Sequence, residues 1–353
     1  MSRVQAAIVK PERHFASDNN AGVHPNVLAA LADANGGHVT GYGDDPYTHA
    51  AEAAMRDVFG PDTQTFFAFT GTGANVVTLA SALRPYQAVV VPALTHLDVD
   101  ECGAFERFAG SKIRDVSAHN GKLLPADAAA ALRGFGDQHH VQPGAISVSQ
   151  ATEVGTVYTA DELRALADLA HAHGLFFHVD GARFANAVAA LGISARDLIT
   201  ATGVDALTFG GTKNGAMGGE AIVFPRPHPA IAALPFVRKS AMQLASKMRF
   251  VAVQFTALLR DDLWLKNAAH ANAMARRLAD RVCRIDGVSL AYPLDANGAF
   301  VALPHHAIPK LQQQKHFYVW DERASVVRWM TSWDTTEDDV DAFAELVETV
   351  ICG

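Results

Sequence analysis

Between residues 65 and 224 the sequence alternates between short apolar runs and longer segments with helical periodicity. The apolar runs cover residues 66–69, 88–91, 145–148, 175–180 and 205–209. Runs of this kind are typical of fully buried strands, and helices between them imply parallel strands joined by crossovers. The sequence therefore predicts an α/β fold with a mostly parallel sheet and helices on both of its faces.

The pattern changes after about residue 260, where a long helix is predicted near residues 263–282. Short strands follow at about 289–292, 299–303 and 326–330, and a last helix opens at Thr336. At ~150 residues per domain, the chain is long enough for about two domains. We therefore expect a large domain over residues 1–261, including the N-terminal segment, and a smaller α+β domain over residues 262–353. The stretch 229–260 is compatible with one long connecting helix.

The net charge of the chain limits the classes of binding partner that we expect. Its 29 basic and 37 acidic residues give a net charge of −8, and neither sign forms long runs. Nucleic acids and anionic membranes need a basic stripe, so we expect neither as a partner. We find no run of about 18 apolar residues, so no membrane span is predicted. A small metabolite needs only a few local positive charges and remains compatible with this composition.

The cysteines indicate the compartment. Cys102, Cys283 and Cys352 are an odd number and widely scattered. They match neither a disulfide framework nor the spacing of zinc ligands, so the sequence predicts no metal site and a reducing, cytoplasmic location. The apolar run in the first ten residues is too short for a signal peptide.

A glycine-rich turn at residues 70–75 follows the first predicted strand and opens a helix. Its backbone N–H groups and the helix dipole make it an anion-binding site. Two ligands compete for it, a dinucleotide and the phosphate of a smaller cofactor. The dinucleotide fingerprint needs a third glycine where this chain has Val76, so that interpretation is weak. A structural turn without a ligand remains an alternative.

Two further residues lie at the ends of predicted strands. Each could have either a structural role or a role in an active site. Asp180 ends an apolar strand, where a carboxylate is costly to bury without a cationic partner, although it would also serve as a helix N-cap. Lys213 follows two glycines, and most lysines are solvated. A desolvated lysine amine instead has a lowered pKa and reacts with aldehydes.

Together these groups fit pyridoxal 5′-phosphate. Lys213 would form a Schiff base with its aldehyde, and Asp180 would keep the pyridine nitrogen protonated. Gly71 and Thr72 would hold the phosphate, with the Thr212 hydroxyl as a further donor. The alternative is a nicotinamide-dependent enzyme or a nucleotide-binding module, which leaves Lys213 and Asp180 unexplained.

In these segments the chain resembles the threonine aldolases, a family within the aspartate aminotransferase-like (fold type I) enzymes that use pyridoxal phosphate. The matching segments run in order along nearly the whole chain. They are Ser-Asp-Asn at 17–19, Tyr-Gly-Asp-Asp at 42–45, Gly-Thr-Gly-Ala-Asn at 71–75, Thr-His at 95–96, Gln-Ala-Thr-Glu-Val-Gly-Thr at 150–156, His-Val-Asp-Gly-Ala-Arg at 178–183, Phe-Gly-Gly-Thr-Lys-Asn-Gly at 209–215 and Arg-Trp-Met-Thr-Ser-Trp at 328–333.

The resemblance implies roles for single residues around the substrate. His96 is implied to stack over the cofactor ring and is a candidate base for the substrate hydroxyl. His139 lies where the family often carries a second active-site histidine. Ser17, Arg183 and Arg328 are implied to gather around the substrate carboxylate and the phenolic oxygen of the cofactor.

The resemblance also implies shared sites between subunits. Tyr42 and Asp45 would lie on a loop that reaches toward the neighbouring subunit, and Lys247 or Arg249 would add positive charge to the phosphate there. Gln150 is implied to contact the cofactor. The implied assembly is a homotetramer, a dimer of dimers.

The implied activity is cleavage of L-β-hydroxy-α-amino acids, such as threonine, allo-threonine and phenylserine, to glycine and an aldehyde. This makes the chain a carbon–carbon lyase with an amino-acid substrate. The alternative on the same fold and cofactor is β-elimination, which would release pyruvate and ammonia.

Overall fold

The computed structural model describes residues 12–353, and in this part of the chain the strands form two sheets. The strands of the larger sheet are β1 Gln64–Ala68, β2 Gln87–Pro92, β3 Lys112–Val116, β4 Gln142–Ser149, β5 Phe176–Gly181, β6 Ala206–Gly210 and β7 Glu220–Phe224. Those of the smaller sheet are β8 Ser289–Leu290, β9 Gly298–Ala302, β10 Tyr318–Asp321 and β11 Val326–Met330.

The α-helices of the described residues flank these sheets. They are α1 Pro25–Asp33, α2 Pro46–Phe59, α3 Gly71–Ala82, α4 His96–Val99, α5 Ala104–Ala109, α6 Pro125–Ala131, α7 Ala160–Ala172, α8 Phe184–Leu191, α9 Leu234–Ser240, α10 Arg249–Leu259, α11 Leu263–Val282, α12 Ile308–Gln312 and α13 Glu337–Cys352. Short 3₁₀ turns at 18–20, 212–214, 229–232, 260–262 and 305–307 and a π turn at 196–200 complete the elements.

The larger sheet has the strand order β1-β7-β6-β5-β4-β2-β3. All of its strands run in one direction except β7, which is antiparallel to both β1 and β6. The connection from β6 to β7 is short, and an antiparallel neighbour is the one that a short connection reaches. The predicted α/β fold with a mostly parallel sheet is confirmed. The carboxyl ends of six strands and the start of β7 share one edge, where ligands bind in such sheets.

The larger sheet is buried on both faces because its central strands are apolar at nearly every position. All residues of β5, β6 and β7 are buried. Side chains alternate between two cores with the period of two that a strand imposes. Phe177 and Val179 point into the core that α2, α7, α8 and α10 cover, whereas Phe176 points into the core beneath α3, α5 and α9.

The smaller sheet is antiparallel, with the order β10-β11-β9-β8, and α11 and α13 lie against each other beside it. Trp329 and Phe343 are at the centre of its core. Phe15 belongs to the same core and stacks on Phe343, with ring centroids 4.5 Å apart. The sequence assigned the N-terminal segment to the large domain, but Phe15 packs on the small sheet instead. The domain boundary at 261/262 stays a prediction.

The stretch 229–260 is not one helix. It contains a 3₁₀ turn and the separate helices α9 and α10, with residues 241–248 between them. Met242 in this interval has a φ of 62°, which no α-helix accommodates. Asp261 and Asp262 also have positive φ and separate α10 from α11. Within residues 12–353, no helix combines the length and the apolar character that a bilayer crossing needs.

Candidate active site

A cavity of about 430 Å³ opens at the carboxyl edge of the larger sheet. The ends of β1, β4, β5 and β6 and the start of β7 all contribute to its wall. The residues with polar or titratable side chains in that wall are Asn19, Thr70, Thr72, Asn75, His96, Glu101, Ser149, Glu153, Asp180, Arg183, Thr212, Lys213 and Glu220. The structure thus brings the glycine-rich turn, Asp180 and Lys213 to one site.

The N-terminus of α3 forms one wall of the cavity. Thr70 is its N-cap, and the Thr70 hydroxyl accepts the N–H of Gly73 at 3.0 Å. The first N–H groups of a helix have no acceptor within the helix. Gly71 and Thr72, which line the cavity, therefore present N–H groups and the positive end of the helix dipole to an anion.

Lys213 lies in the 3₁₀ turn 212–214, directly after β6. Burial lowers the pKa of its amine, and the nearby Arg183 lowers it further. The backbone before it is packed closely, because a side chain at Gly210 would place its Cβ 2.5 Å from the carbonyl oxygen of Ala182. The turn therefore holds an amine with raised reactivity toward carbonyl carbons inside the cavity.

Asp180 lies near the end of β5 and is 8% exposed. Its Oδ1 accepts the N–H of Ala182 at 2.9 Å, and its Oδ2 accepts the side-chain amide of Asn75 at 2.8 Å. These two bonds fix the plane of the carboxylate and leave it with lone pairs for a further donor. It is placed to hold a cationic nitrogen in the cavity.

His96 begins α4, lines the cavity and is held at two points. Its backbone N–H donates to Glu153 Oε1 at 2.8 Å, and its Nδ1 lies 3.1 Å from Glu101 Oε1. The hydrogen bond to Glu101 raises the pKa of the imidazole, against the lowering effect of burial. Glu101 also accepts from Asn75 at 3.0 Å, so His96 and Asp180 belong to one hydrogen-bonded network.

Arg183 is anchored by a carboxylate that the sequence analysis did not single out. Its Nε and Nη2 donate to the two oxygens of Asp18 at 2.7 and 2.9 Å, and Asn297 donates to the same Asp18 at 3.1 Å. Burial alone would raise the pKa of Asp18, but Arg183 and Lys213 outweigh it and lower the pKa. The guanidinium is thereby fixed with its remaining donors free.

Arg328 lies close to Arg183, and both line a small recess beside the main cavity. Its Nη2 donates to the carbonyl of Ala16 at 3.3 Å, and its guanidinium lies over the rings of Tyr318 and Trp320. Its buried Nε has no partner among the described residues. The two arginines therefore leave donors for one incoming anion.

Several buried carboxylates of the site were missed. Burial raises the pKa of Glu153, which accepts from Ser149 at 2.6 Å, and it raises the pKa of Glu220 to about 7. One signal was present for Glu101, because it follows His96 by five residues and is near enough in sequence to meet it. Glu220 opens an apolar strand, as Asp180 ends one, and the same cost of burial would have pointed to it.

Three residues that were predicted to contact the cofactor or the substrate form hydrogen bonds with other parts of the protein. Gln150 is fully buried, but its amide donates to and accepts from the backbone of Tyr158, at 2.8 and 2.9 Å. Asp45 is the N-cap of α2, and both of its oxygens accept from Thr48. Ser17 accepts the N–H of Asn19 and lines a separate surface groove. None of the three lines the cavity of this subunit, because their polar atoms satisfy local backbone or side-chain groups.

The structure does not bring His139 to the site. It lies three residues before β4, at the amino edge of the sheet, and its backbone N–H donates to Asp137 in an exposed turn. β4 spans eight residues, which separates that edge from the cavity by more than ~20 Å. His139 therefore does not reach the cavity of the same subunit, and its catalytic role stays a prediction.

Tyr42, Lys247 and Arg249 lie outside the cavity as well. Tyr42 is 54% exposed, and Lys247 is also exposed. Arg249 donates to the carbonyl oxygens of Gly36 and Gly37. In a single subunit these residues contribute nothing to the site, and their predicted roles depend on a second copy of the chain.

The residues of the cavity fit pyridoxal phosphate. The buried amine of Lys213 would react with its aldehyde, and the fixed carboxylate of Asp180 would pair with its ring nitrogen. The N-terminus of α3 would hold its phosphate. The described residues contain no group of three or more His, Cys, Asp or Glu side chains arranged to hold a metal ion. Fold and cavity thus define the class of the chain, a pyridoxal phosphate-dependent enzyme with the aspartate aminotransferase fold.

Comparison with known proteins places the chain within this class. Residues 14–304 match the model of the β-eliminating lyase family. The chain is 44% identical to the low specificity L-threonine aldolase of Pseudomonas aeruginosa, over 96% of this chain and 97% of that protein. It is 41% identical to that of a Pseudomonas strain, over 96% and 98%. The chain belongs to the β-eliminating lyase family, within which its relatives are threonine aldolases.

Solved structures agree with this assignment. The threonine aldolase of Leishmania major superposes with a TM-score of 0.90 at 31% identity, covering 96% of this chain and 99% of that one. The aspartate aminotransferase of Thermus thermophilus, at 16% identity and a TM-score of 0.69 over 94% and 89% of the two chains, shares the fold. The predicted family, the lyase class and the dependence on pyridoxal phosphate are confirmed.

Proposed function

We propose that this protein cleaves L-β-hydroxy-α-amino acids, among them threonine, allo-threonine and phenylserine, to glycine and an aldehyde. The observation that carries the proposal is the meeting of Lys213, Asp180 and His96 in one cavity of a chain from this family. Each supplies one chemical requirement: an amine, a counter-ion for a cationic ring, and a base.

Lys213 and Asp180 would hold the cofactor at its two ends. When bound, pyridoxal phosphate supplies an electron sink for the pair released from the Cα–Cβ bond. The carboxylate of Asp180 is fixed by Asn75 and Ala182. It would keep a proton on the ring nitrogen of a bound cofactor and so make that sink effective. Gly71 and Thr72 would hold the phosphate at the helix N-terminus.

Arg183 and Arg328 orient the substrate. A carboxylate placed between their free donors is fixed in direction, since an arginine presents its donors in a planar fork. Asp18 keeps Arg183 in place, so the position of the carboxylate is set before substrate binds. Orientation decides which bond at Cα is broken, and this distinguishes cleavage of Cα–Cβ from transamination.

His96 takes the proton from the substrate hydroxyl. Its Nδ1–H faces Glu101, so the neutral tautomer leaves Nε2 as the accepting nitrogen. Because Glu101 raises the pKa of the imidazole, His96 is a stronger base than a solvated histidine.

The proposed activity is tested by measuring both the reaction products and the absorbance of the bound cofactor. Purified protein incubated with L-threonine, L-allo-threonine and phenylserine should release aldehyde and glycine in equal amounts. Ammonia with the matching 2-oxo acid (2-oxobutyrate from either threonine isomer, phenylpyruvate from phenylserine) would instead indicate β-elimination. The protein as purified should be yellow. Lys213→Ala should abolish turnover and that absorbance, because no other lysine among residues 12–353 lines the cavity. Lys310→Ala, an exposed lysine on α12, is the matched control and should change neither.

We further propose that the enzyme is a homotetramer, built as a dimer of dimers with shared sites. Phe69 and Met217 line the cavity and are 45 and 58% exposed. Tyr42, Phe236 and Met242, in or next to segments that contact its rim or each other, are 54, 77 and 70% exposed. An apolar patch of this kind at a binding site is typical of a protein–protein interface. Tyr42, Lys247 and Arg249 would then act at the site of the neighbouring subunit.

We also propose a reducing, cytoplasmic location. Cys102, Cys283 and Cys352 are all free and all exposed. Exposed free thiols persist where glutathione and thioredoxin keep them reduced. Fractionation of the native cells with an antibody to the protein would test this.

A further inference from the structure

Glu220 is a buried carboxyl group that the proposed reaction leaves without a role. It is 5% exposed, opens β7 and lines the cavity beside Lys213. Its Oε1 is 2.8 Å from the Thr212 hydroxyl, whereas its buried Oε2 has no partner among the described residues. An unpartnered buried oxygen is more costly in an ionised carboxylate than in a neutral carboxylic acid.

The Thr212 hydroxyl, which also lines the cavity, has one hydrogen to give and can accept two. It accepts the N–H of Gly219 at 3.2 Å. When Glu220 is ionised, Thr212 must donate its hydrogen to the carboxylate. When Glu220 is protonated, the carboxylic acid donates to Thr212. The hydroxyl hydrogen then faces only the Gly219 carbonyl, at 3.5 Å, among the described residues, and it can turn to a nearer acceptor in the cavity.

The position of Glu220 connects the two ends of the cofactor site. Because β7 lies between β1 and β6, Glu220 is paired with Ala68 on one side and with Gly210 on the other. Ala68 is followed by the turn into α3, where an anion would be held, and Gly210 leads to Thr212 and Lys213. Gly71, Thr72 and Thr212 line the same cavity, so a phosphate bound at the α3 N-terminus would be on the same side as the Thr212 hydroxyl.

We propose that Glu220 is a positioning residue for the cofactor phosphate: it carries a proton in the loaded enzyme, donates it to Thr212, and so turns the Thr212 hydroxyl toward the phosphate. Binding of the phosphorylated cofactor is then coupled to the uptake of one proton. This inference rests on the proposed function, since it needs a phosphate at α3.

The surroundings of Glu220 favour such an exchange near neutral pH. Burial raises its pKa to about 7, against the lowering effects of Thr212 and Lys213, while Asp180 raises it. β1 and α3, which pack against β7, contain no titratable residue. Arg238 of α9 is turned to the carbonyl of Phe67, and Arg249 of α10 to residues 36–37. A bound phosphate would favour the protonated form further.

The test uses apo-enzyme and pyridoxamine 5′-phosphate, whose amine forms no Schiff base with Lys213. Calorimetric titration between pH 6.5 and 8.5, in two buffers of different ionisation enthalpy, gives both affinity and proton uptake. Above pH 7, the affinity of the unaltered enzyme should fall with pH by up to about tenfold per pH unit more than the affinity of Glu220→Gln does. On binding, the unaltered enzyme should also take up about one more proton than this variant. The glutamine amide donates to Thr212 at every pH, so that variant should lose this dependence.

Two controls separate the outcomes. Pyridoxamine without phosphate should show no difference between the unaltered enzyme and Glu220→Gln. Thr212→Val, which removes the hydroxyl, should abolish the pH dependence even if Glu220→Gln fails to fold. An unchanged pH dependence in either variant would overturn the inference, whereas an unaltered enzyme that binds no pyridoxamine 5′-phosphate would overturn the proposed function itself.

Discussion

The pKa of His96 depends on a single hydrogen bond, the one to Glu101. The two groups are 3.1 Å apart, and the carboxylate stabilises the imidazolium, so the pKa of His96 is raised. A general base works only in its neutral form, and the acid limb of kcat/KM reports its pKa in the free enzyme. The pH profile of the enzyme therefore contains a direct measure of this contact.

Glu101→Gln removes the charge that raises the pKa of His96. The acid limb of kcat/KM should move to lower pH, while kcat falls because the neutral imidazole is a weaker base. His96→Phe should lower kcat by about 10²- to 10⁴-fold and leave cofactor absorbance in place. Glu106→Gln, an exposed carboxylate on α5, is the control and should leave the profile unchanged. A profile that does not move in Glu101→Gln would remove His96 from the role of base.

Asp18 determines the position of Arg183, and its loss should affect both binding and stability. Asp18→Asn keeps one accepting oxygen but replaces the other by an amide donor facing the guanidinium, which also donates, so buried Arg183 loses its counter-ion and one acceptor. Breaking a buried pair in this way costs about 3–5 kcal/mol. We expect a lower free energy of unfolding in urea and a raised KM for the amino acid.

The pH dependence of this pair has a definite sign, and a surface pair supplies its control. Because the pKa of Asp18 is lowered in the folded state, its contribution is present above the unfolded value and is lost as pH falls. Asp161→Asn breaks an ion pair with Arg164 whose carboxylate side chain is 92% exposed, so it should cost less than about 1 kcal/mol. Equal losses in both variants would contradict the assignment of Asp18.

Residue patterns predict where in the fold a side chain is attached, but not which groups its polar atoms bond. Lys213 and Asp180 could be found because each follows an apolar strand, and strand ends converge at one sheet edge. Asp45 and Gln150 have the same polarity, yet their oxygens and amides bond within their own loops. Asp18 has no signal of burial in the sequence, since its partner Arg183 is 165 positions away.

At the scale of elements, His178 links three strands of the larger sheet. Its Nδ1 is 2.8 Å from Ser147 on β4, and its Nε2 is 3.1 Å from Thr208 on β6. It is fully buried, and burial lowers its pKa to about 4. The neutral imidazole is thus a cross-strand connector directly beneath Asp180, and it keeps the strand ends in register.

This connector makes stability sensitive to acid. The unfolded histidine takes up a proton near pH 6.5, but the folded one does not until about pH 4. The stabilisation is therefore complete above pH 6.5 and declines as pH falls toward 4. Between pH 7 and pH 5 the free energy of unfolding should fall by on the order of 2 kcal/mol through this group. His178→Gln should unfold more readily at pH 7 and lose that part of the pH dependence.

The control for His178 is His306→Asn, because His306 is exposed in the turn before α12. It should leave the slope of stability against pH as it is in the unaltered protein. The comparison is made by urea titration of the apo-protein at several pH values. A slope that His178→Gln shares with the unaltered protein would mean that other groups cause the acid sensitivity.

Elements with one strong pattern were predictable, and those with a mixed pattern were not. β5, β6 and α11 follow the apolar runs and the helical period closely, and α7 begins at a capping box that the residue types Thr159 and Glu162 already suggest. β3 and β10 are partly exposed and carry charged residues, so no run of apolar residues marks them. The break between α9 and α10 comes from the left-handed backbone at Met242, for which the sequence has no glycine signal.

At the scale of the whole molecule, the cavity is bordered by surface that a single subunit leaves exposed. Phe69 and Met217 line the cavity, and Gln243 accepts the N–H of Phe69 at 3.0 Å, which ties the 241–248 interval to the rim. Lys239 lies over the ring of Tyr42, 5.1 Å from its centre, and joins the loop before α2 to α9. The proposed interface is therefore continuous with the site, and assembly should control activity.

Charged substitutions in this patch test the assembly. Phe236→Glu and Met242→Glu, combined in one chain, should turn the assembly into smaller species in light scattering, because burying two carboxylates in an apolar interface is unfavourable. Activity and cofactor retention should fall with assembly, and both should recover in part at high protein concentration. Tyr86→Glu is the matched control, since Tyr86 is 64% exposed but lies beside the amino end of β2, at the opposite edge of the sheet. A monomeric and fully active double variant would show that each subunit has a complete site, and Tyr42, Lys247 and Arg249 would then have no part in it.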